Sequence, residues 1–278
     1  MIKHFAKKVD YTIPESLKCL VLEIISGESI NEVDLTIPIF ATGFPLMVNI
    51  YGEKPTYTVN DHPFKTRSNL VVAGQIYNSR LIFRQIGKFG NLRLILHPTA
   101  PYYLLHKSGK YFNNKWTRLK DAAPQPCCSL INKLSHCTSP AKRIEHILEY
   151  LIKLEEKRLP EITWLERSLE KILLNNGIVS QEELIKDAGV SLRHFRRVFK
   201  SVIGVPPKYY CKVIQLNTVF QLLNDSTTEK MHHLALDCGY YDQAHFIKDF
   251  KRIMGDTPRH FLQGKHAYIK TYMGMPGN

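Results

Sequence analysis

Ser191-Leu-Arg-His-Phe-Arg-Arg-Val-Phe-Lys200 follows Gly189-Val190 and carries Arg193, Arg196 and Arg197 with no acidic residue among its ten positions. At helical spacing, Phe195, Val198 and Phe199 share one face and the arginines occupy the other. Ser191 is a good helix-capping residue. A short helix after a glycine turn, apolar behind and basic in front, has the makeup of a helix that enters a nucleic-acid groove. An ordinary amphipathic surface helix looks the same, so this stretch alone does not separate the two readings.

The pattern returns downstream. Leu184, Asp187 and Gly189 recur as Leu234, Asp237 and Gly239, an offset of 50. Phe195, Phe199, Lys200, Gly204 and Pro207 recur as Phe246, Phe250, Lys251, Gly255 and Pro258, an offset of 51. The single-residue change falls in the turn, where insertion is tolerated best. Chance amphipathic helices do not share a turn glycine, paired phenylalanines, a trailing lysine, a terminal glycine and a proline. The repeat reads as two helix-turn-helix units. Ser180-Gln-Glu-Glu183 supplies a capping box for the first. A helix from about Pro207 to Leu223, ending at Asn224-Asp225-Ser226, joins the units. Its expected length of roughly 25 Å suits two recognition helices entering successive major grooves about 34 Å apart. Val213, Leu216, Phe220 and Leu223 are its expected buried face.

Gly239-Tyr-Tyr-Asp-Gln-Ala-His-Phe-Ile-Lys-Asp-Phe-Lys251, with Gly255-Asp-Thr-Pro258 and Phe261, resembles the signature of the AraC/XylS (arabinose-regulator) family. Ser191, Phe199, Gly204 and Pro207-Lys208 resemble that family's first unit, and the Arg193-x-x-Arg-Arg197 and Pro-Pro-Lys208 details are similar to a subgroup with a poorly characterised N-terminal domain. The resemblance covers about Ser180 to Phe261 and implies a bacterial transcription regulator, more commonly an activator, with an effector domain ahead of the DNA-binding domain. It places base contacts on Arg193, Arg196 and Arg197, and on Gln243, Ala244, His245, Ile247 and Lys248. Gln215 stands where the family usually has arginine, which implies a missing stabilising or phosphate contact. Asp242, Asp249 and Ile247 are expected to make the second helix less cationic. Lys200, Lys208, Lys251 and Arg252 suit phosphate contacts, which position without specifying sequence. The four phenylalanines read as core.

The rest of the chain fits around this. With 278 residues, 44% apolar and 23% charged, two domains can each bury a core. A formal charge of +13 favours polyanionic partners. Met1 to Asp10 is interrupted by charge and lacks a signal-peptide core, and no apolar stretch is long enough to span a bilayer, so a cytoplasmic location without membrane association is expected.

Residues 1–125 read as a β-rich sensor-like domain, an antiparallel sandwich or small barrel. Its strands lie at 20–25, 46–51, 57–59, 69–73, 80–86 and 92–96. Asn60-Asp61-His62-Pro63 reads as a hairpin connection, and Pro101 to Lys107 as a short helix. Residues 126–177 read as a helical connector: one helix starts at Ser139-Pro140 with Lys142 and Arg143 outward, and another runs from Glu161 to Asn175-Asn176-Gly177. The connector serves equally as plain packing, a coupling element or a homodimer seam. Residues 178–265 are the tandem DNA-binding domain and 266–278 a tail.

The fold class is therefore α+β with two domains, the C-terminal one all-α with two helix-turn-helix units and a linking helix. The expected partners are double-stranded DNA, RNA polymerase and an unidentified small-molecule or protein effector, with no cofactor, metal or catalytic residue. The rival reading is a cysteine-based sensor or DNA-targeted enzyme using Cys127, Cys128 or Cys137, although adjacent cysteines are poor zinc ligands and no base stands at recognisable spacing.

Overall fold

A computed structural model of the chain describes residues 7–8, 11–65, 68–222 and 228–263. Leu223, Asn224 to Ser226 and the tail at 266–278 lie outside the described residues.

The N-terminal region is two antiparallel sheets, as the turn-punctuated runs of Val, Ile, Leu and Tyr predict. The larger comprises β1 (Lys7–Lys8), β2 (Val21–Glu28), β4 (Leu46–Ile50), β7 (Leu70–Ala73), β9 (Gly90–Leu96) and β10 (Trp116–Arg118), in the order β1-β2-β9-β4-β7-β10. The smaller comprises β3 (Val33–Ile39), β5 (Thr56–Val59), β6 (His62–Lys65) and β8 (Leu81–Gly87), in the order β3-β8-β5-β6. All six sequence-read strands are present, displaced by a residue or two at most ends.

Strand β3 is absent from the sequence reading because Asp34, Thr36 and Pro38 interrupt its apolar run. Its place at the sheet edge tolerates a proline that cannot donate to a ladder. His62 and Pro63, read as turn, are instead the start of β6; the turn is Asn60-Asp61 alone, with φ of 46° and 67°. Positive φ at both central residues is the tight hairpin turn that matches strand twist.

Helices α1 (Ala100–Leu105), α2 (Leu119–Ala122), α3 (Cys128–His136) and α4 (Pro140–Glu155) cover the larger sheet, burying Leu130, Leu134, Ile144 and Ile147 against Met47, Leu92 and Leu94. Ser139 caps α4 as expected. Arg143, read as outward, is buried instead. It donates to the Leu134 carbonyl at 2.6 Å and to the Cys137 carbonyl, and stacks over Tyr51. The orphan carbonyls ending α3 attract the guanidinium inward. Cys127 is buried, which raises its thiol pKa above the usual value, whereas Cys128 is exposed.

Helix α5 (Thr163–Leu174) leads into the remaining helices. One apolar core runs without interruption from Phe40, Phe44 and Ile76 at one end of the sheets into the C-terminal helical region. Between the sheets lies a cavity of about 120 Å³ with an aromatic and aliphatic wall.

Candidate nucleic-acid interface

The first unit is α6 (Gln181–Ala188) and α7 (Leu192–Ile203); the second is α9 (Thr228–Asp237) and α10 (Gln243–Met254). Helix α8 (Pro207–Leu222) joins them, and α11 (Pro258–Gln263) follows. Each turn has its glycine in the left-handed region, Gly189 at φ 65° and Gly239 at φ 79°. An L side chain pays steric strain there, which is why the turn residue is glycine in both units. Ser180 Oγ accepts from the Glu183 amide at 3.1 Å, Ser191 Oγ from His194 at 3.3 Å, and Asp242 Oδ1 from His245 at 2.7 Å. Each cap satisfies an orphan donor and fixes where its helix begins.

Phe195, Phe199, Phe246 and Phe250 are fully buried. Phe199 meets Tyr210 of α8 edge-on at 5.8 Å, and Phe250 meets Phe220 of the same helix at 5.7 Å. Both recognition helices are thus mounted on α8. That helix is surrounded rather than one-faced, since Tyr209 to Cys211 and Val213 to Phe220 are all buried. A single apolar stripe at Val213, Leu216 and Phe220 therefore understates its packing. A helix buried all round is a central strut.

Opposite the phenylalanines, Arg193, Arg196 and Arg197 are exposed. Arg196 donates to Gln181 Oε1 at 2.9 Å and Arg197 lies 3.3 Å from His194 Nδ1. On α10, Gln243, Ala244 and Lys248 are exposed, whereas His245 and Ile247 are half-buried. Gln243 Nε2 lies 2.5 Å from His232 Nδ1 on α9. Lys208 and Lys251 are exposed, and Lys200 is half-buried. Arg252 is exposed but stacks over Tyr209 at 5.2 Å, drawing its guanidinium toward α8.

Two expectations are corrected. Asp249 does not dilute the charge of the outer face: it is 8% exposed, with Lys212 Nζ at 3.5 Å and His245 Nε2 at 3.3 Å. Asp242 is consumed as the cap. Gln215 does not lack a stabilising contact: it is 3% exposed and donates to the Cys238 carbonyl at 2.6 Å, tying α8 to the end of α9. Two exposed apolar side chains were not singled out from the sequence, Leu192 and Tyr241, at 42% and 89% exposure. Each adjoins a capping residue, and that adjacency is the signal that identifies them.

The N-terminal region clamps this assembly. Ser108 Oγ donates to the Ser201 carbonyl at 2.8 Å and Asn113 Nδ2 to the Gly204 carbonyl at 2.9 Å. Carbonyls at the end of α7 are thereby capped from another part of the chain. A second contact is made by α8: Asn217 Nδ2 donates to the Thr42 carbonyl at 2.7 Å, and Gly43 packs on Ile214 and Tyr210. Among the described residues, no group of three or more His, Cys, Asp or Glu could hold a metal ion, and no helix is long and apolar enough to cross a membrane.

Two capped helices with basic outer faces, presented by one buried strut, define a helix-turn-helix transcription regulator that binds specific DNA sequences. Residues 184–264 match the family described as a helix-turn-helix domain, and this region is a domain of the AraC/XylS type. The chain is 25% identical over 227 residues to the HTH-type transcriptional activator RhaS of Escherichia fergusonii, the match covering 75% of each protein. It is 30% identical over 101 residues to the HTH-type transcriptional regulator ExsA of Pseudomonas aeruginosa, covering 36% of this chain and 35% of that one. A solved structure of ToxT from Vibrio cholerae aligns over 86% of this chain and 98% of that one, with 10% identity and a TM-score of 0.46.

Proposed function

We propose that the chain activates transcription by reading two half-sites on one face of DNA, under control of an effector bound by the N-terminal region. The observation that carries this is the common mounting of α7 and α10 on α8, which itself docks on the cavity wall at Thr42 and Gly43. In this reading residues 1–125 sense, 126–177 connect and 178–265 bind DNA. At 1.5 Å per residue α8 is roughly 24 Å long, which suits spacing two recognition helices along successive grooves.

Arg193, Arg196 and Arg197 are the main base readers, since a guanidinium fork matches guanine O6 and N7. Arg193 needs no rearrangement, because it makes no hydrogen bond or ion pair with a described residue; Arg196 must exchange Gln181 for a base. Gln243, Ala244, His245, Ile247 and Lys248 face the second half-site, with Leu192 and Tyr241 placed to meet thymine methyl groups. Lys200, Lys208, Lys251 and Arg252 grip phosphate. RNA polymerase is the partner through which activation proceeds.

Selection of bound sequences from random duplex DNA should return a bipartite motif with half-sites about ten base pairs apart. No enrichment, or a single short motif, defeats the proposal. Arg193→Ala should cost about 1–3 kcal/mol at its preferred base and relax the preference there. Lys251→Ala should weaken all sequences alike and lower the salt-dependence slope by about 0.9. Equal, sequence-blind losses for both variants in titrations at several salt concentrations would reverse the assignment.

A further inference from the structure

The cavity between the sheets has a composition that specifies its ligand more narrowly than "effector". At about 120 Å³ it is close to the size of an apolar protein cavity known to hold one benzene ring, roughly 150 Å³. Its wall is aromatic: Trp116 stacks on Tyr57 with centroids 3.8 Å apart, and Phe83 meets Tyr57 edge-on at 5.6 Å. A flat ring is the body that such a wall receives best.

Among the polar groups of the wall, Tyr57 and the buried Arg93 already interact with other residues. Gln75 Nε2 donates to the Gly43 carbonyl, Asn114 is engaged with the backbone of Tyr77 at both ends of its amide, and Thr42 bonds the backbone of Phe44. Lys115 lies over the Tyr111 ring. Gln85 and Asn91 are different. Both are at least nine-tenths buried, both line the cavity, and the amide oxygen of each has no hydrogen-bond partner. The Gln85 amide cannot be turned round without loss, because Nε2 donates to the Glu53 and Ile86 carbonyls, both at 3.1 Å. The site therefore offers one fixed carbonyl acceptor, on Gln85, with the Asn91 amide beside it, and a buried acceptor left unmatched carries a desolvation cost that a donor on the ligand removes.

We propose that the cavity binds a single-ring aromatic molecule bearing a hydroxyl group, with the ring against Trp116 and Tyr57 and the hydroxyl donating to Gln85 Oε1 or Asn91 Oδ1. This rests on reading the N-terminal region as the effector domain, and it adds the chemical class of the effector. The wall segment holding Lys115 and Trp116 directly follows Ser108 to Asn113, the segment that caps α7. The wall segment Thr42 to Phe44 includes the α8 contact. Occupancy is thus felt at both places where the N-terminal region holds the DNA-binding helices.

The test titrates the full-length protein with 4-methylphenol, toluene and 4-methylbenzoate by calorimetry, with Trp116 fluorescence as a second readout. The expected result is saturable binding of 4-methylphenol about tenfold tighter than toluene, one hydrogen bond's worth. Gln85→Leu and Asn91→Leu are tested separately. At least one should bind 4-methylphenol and toluene equally while still binding toluene, which shows that the cavity has remained folded. Equal binding of phenol and toluene by the unaltered protein, a preference for the carboxylate, or no saturable binding of any probe overturns the inference. DNA affinity is measured in parallel with and without 4-methylphenol. Phenol binding that leaves DNA affinity unchanged supports the site but defeats the effector reading. Intact sequence-specific DNA binding with no probe bound defeats the site and leaves the DNA-binding reading standing.

Discussion

Phe199→Ala is expected to destabilise the first helix-turn-helix unit by about 3–5 kcal/mol, because truncating a fully buried aromatic loses transfer energy and leaves a cavity. Phe199 sits between Phe195 at 6.0 Å and Tyr210 at 5.8 Å, so the ring is what joins α7 to α8. Loss of that contact should release α7 from its strut while α10, held through Phe250 and Phe220, stays docked. Denaturant unfolding measures the energy, and footprinting on a selected bipartite site should show protection lost at one half-site and retained at the other. Phe199→Leu should be far milder, within about 1.5 kcal/mol, since it keeps most of the volume. A loss below about 1 kcal/mol for the alanine variant would mean that this ring does not join the two helices.

Gly109→Ala should be a highly disruptive small change at the contact between the N-terminal region and α7. A methyl group at Gly109 would stand 2.4 Å from the Val202 carbonyl oxygen and 2.6 Å from the Gly204 nitrogen. Both are backbone atoms at the end of α7, so no side chain can swing aside to make room. The two segments must separate, at a cost of about 1–3 kcal/mol or more. The bonds from Ser108 to Ser201 and from Asn113 to Gly204 should go with them. Amide hydrogen exchange around Val202 to Val205 should accelerate by roughly ten- to a hundredfold, and any effect of an effector on DNA affinity should shrink. Unchanged exchange there would show that the clamp does not hold α7.

The strands were legible in the sequence where apolar runs sit between turn residues, as at Leu46 to Tyr51 and Leu92 to Leu96. They were not legible at β3, whose alternating Asp34, Thr36 and Pro38 suit an edge with one face in solvent. Recognition helices were legible through repetition, since the matching glycines, phenylalanines and capping residues occupy equivalent positions in both units. Asp249 was misjudged for a different reason: its charge was counted without its position, yet its counterpart in the first unit is Val198 on the apolar face, and there Lys212 and His245 meet it. Arg143 was misplaced likewise, by carbonyls at the end of a separate helix.

The stretch from Ser191 to Lys200, with its echo from Asp242 to Lys251, by itself determined that this chain carries two recognition helices, where each starts and which face is basic. Those are local properties, set by capping chemistry, helical period and backbone strain within a few residues. What α8 does was decided by tertiary structure. Its sequence suggests one apolar face, yet it is enclosed by both units and by the rim of the sheets. The cap on α7 from Ser108 and Asn113, and the cavity whose wall continues into that cap, likewise depend on residues about 90 positions apart in the chain. No local pattern encodes such a meeting, because it follows from how two independently legible regions pack.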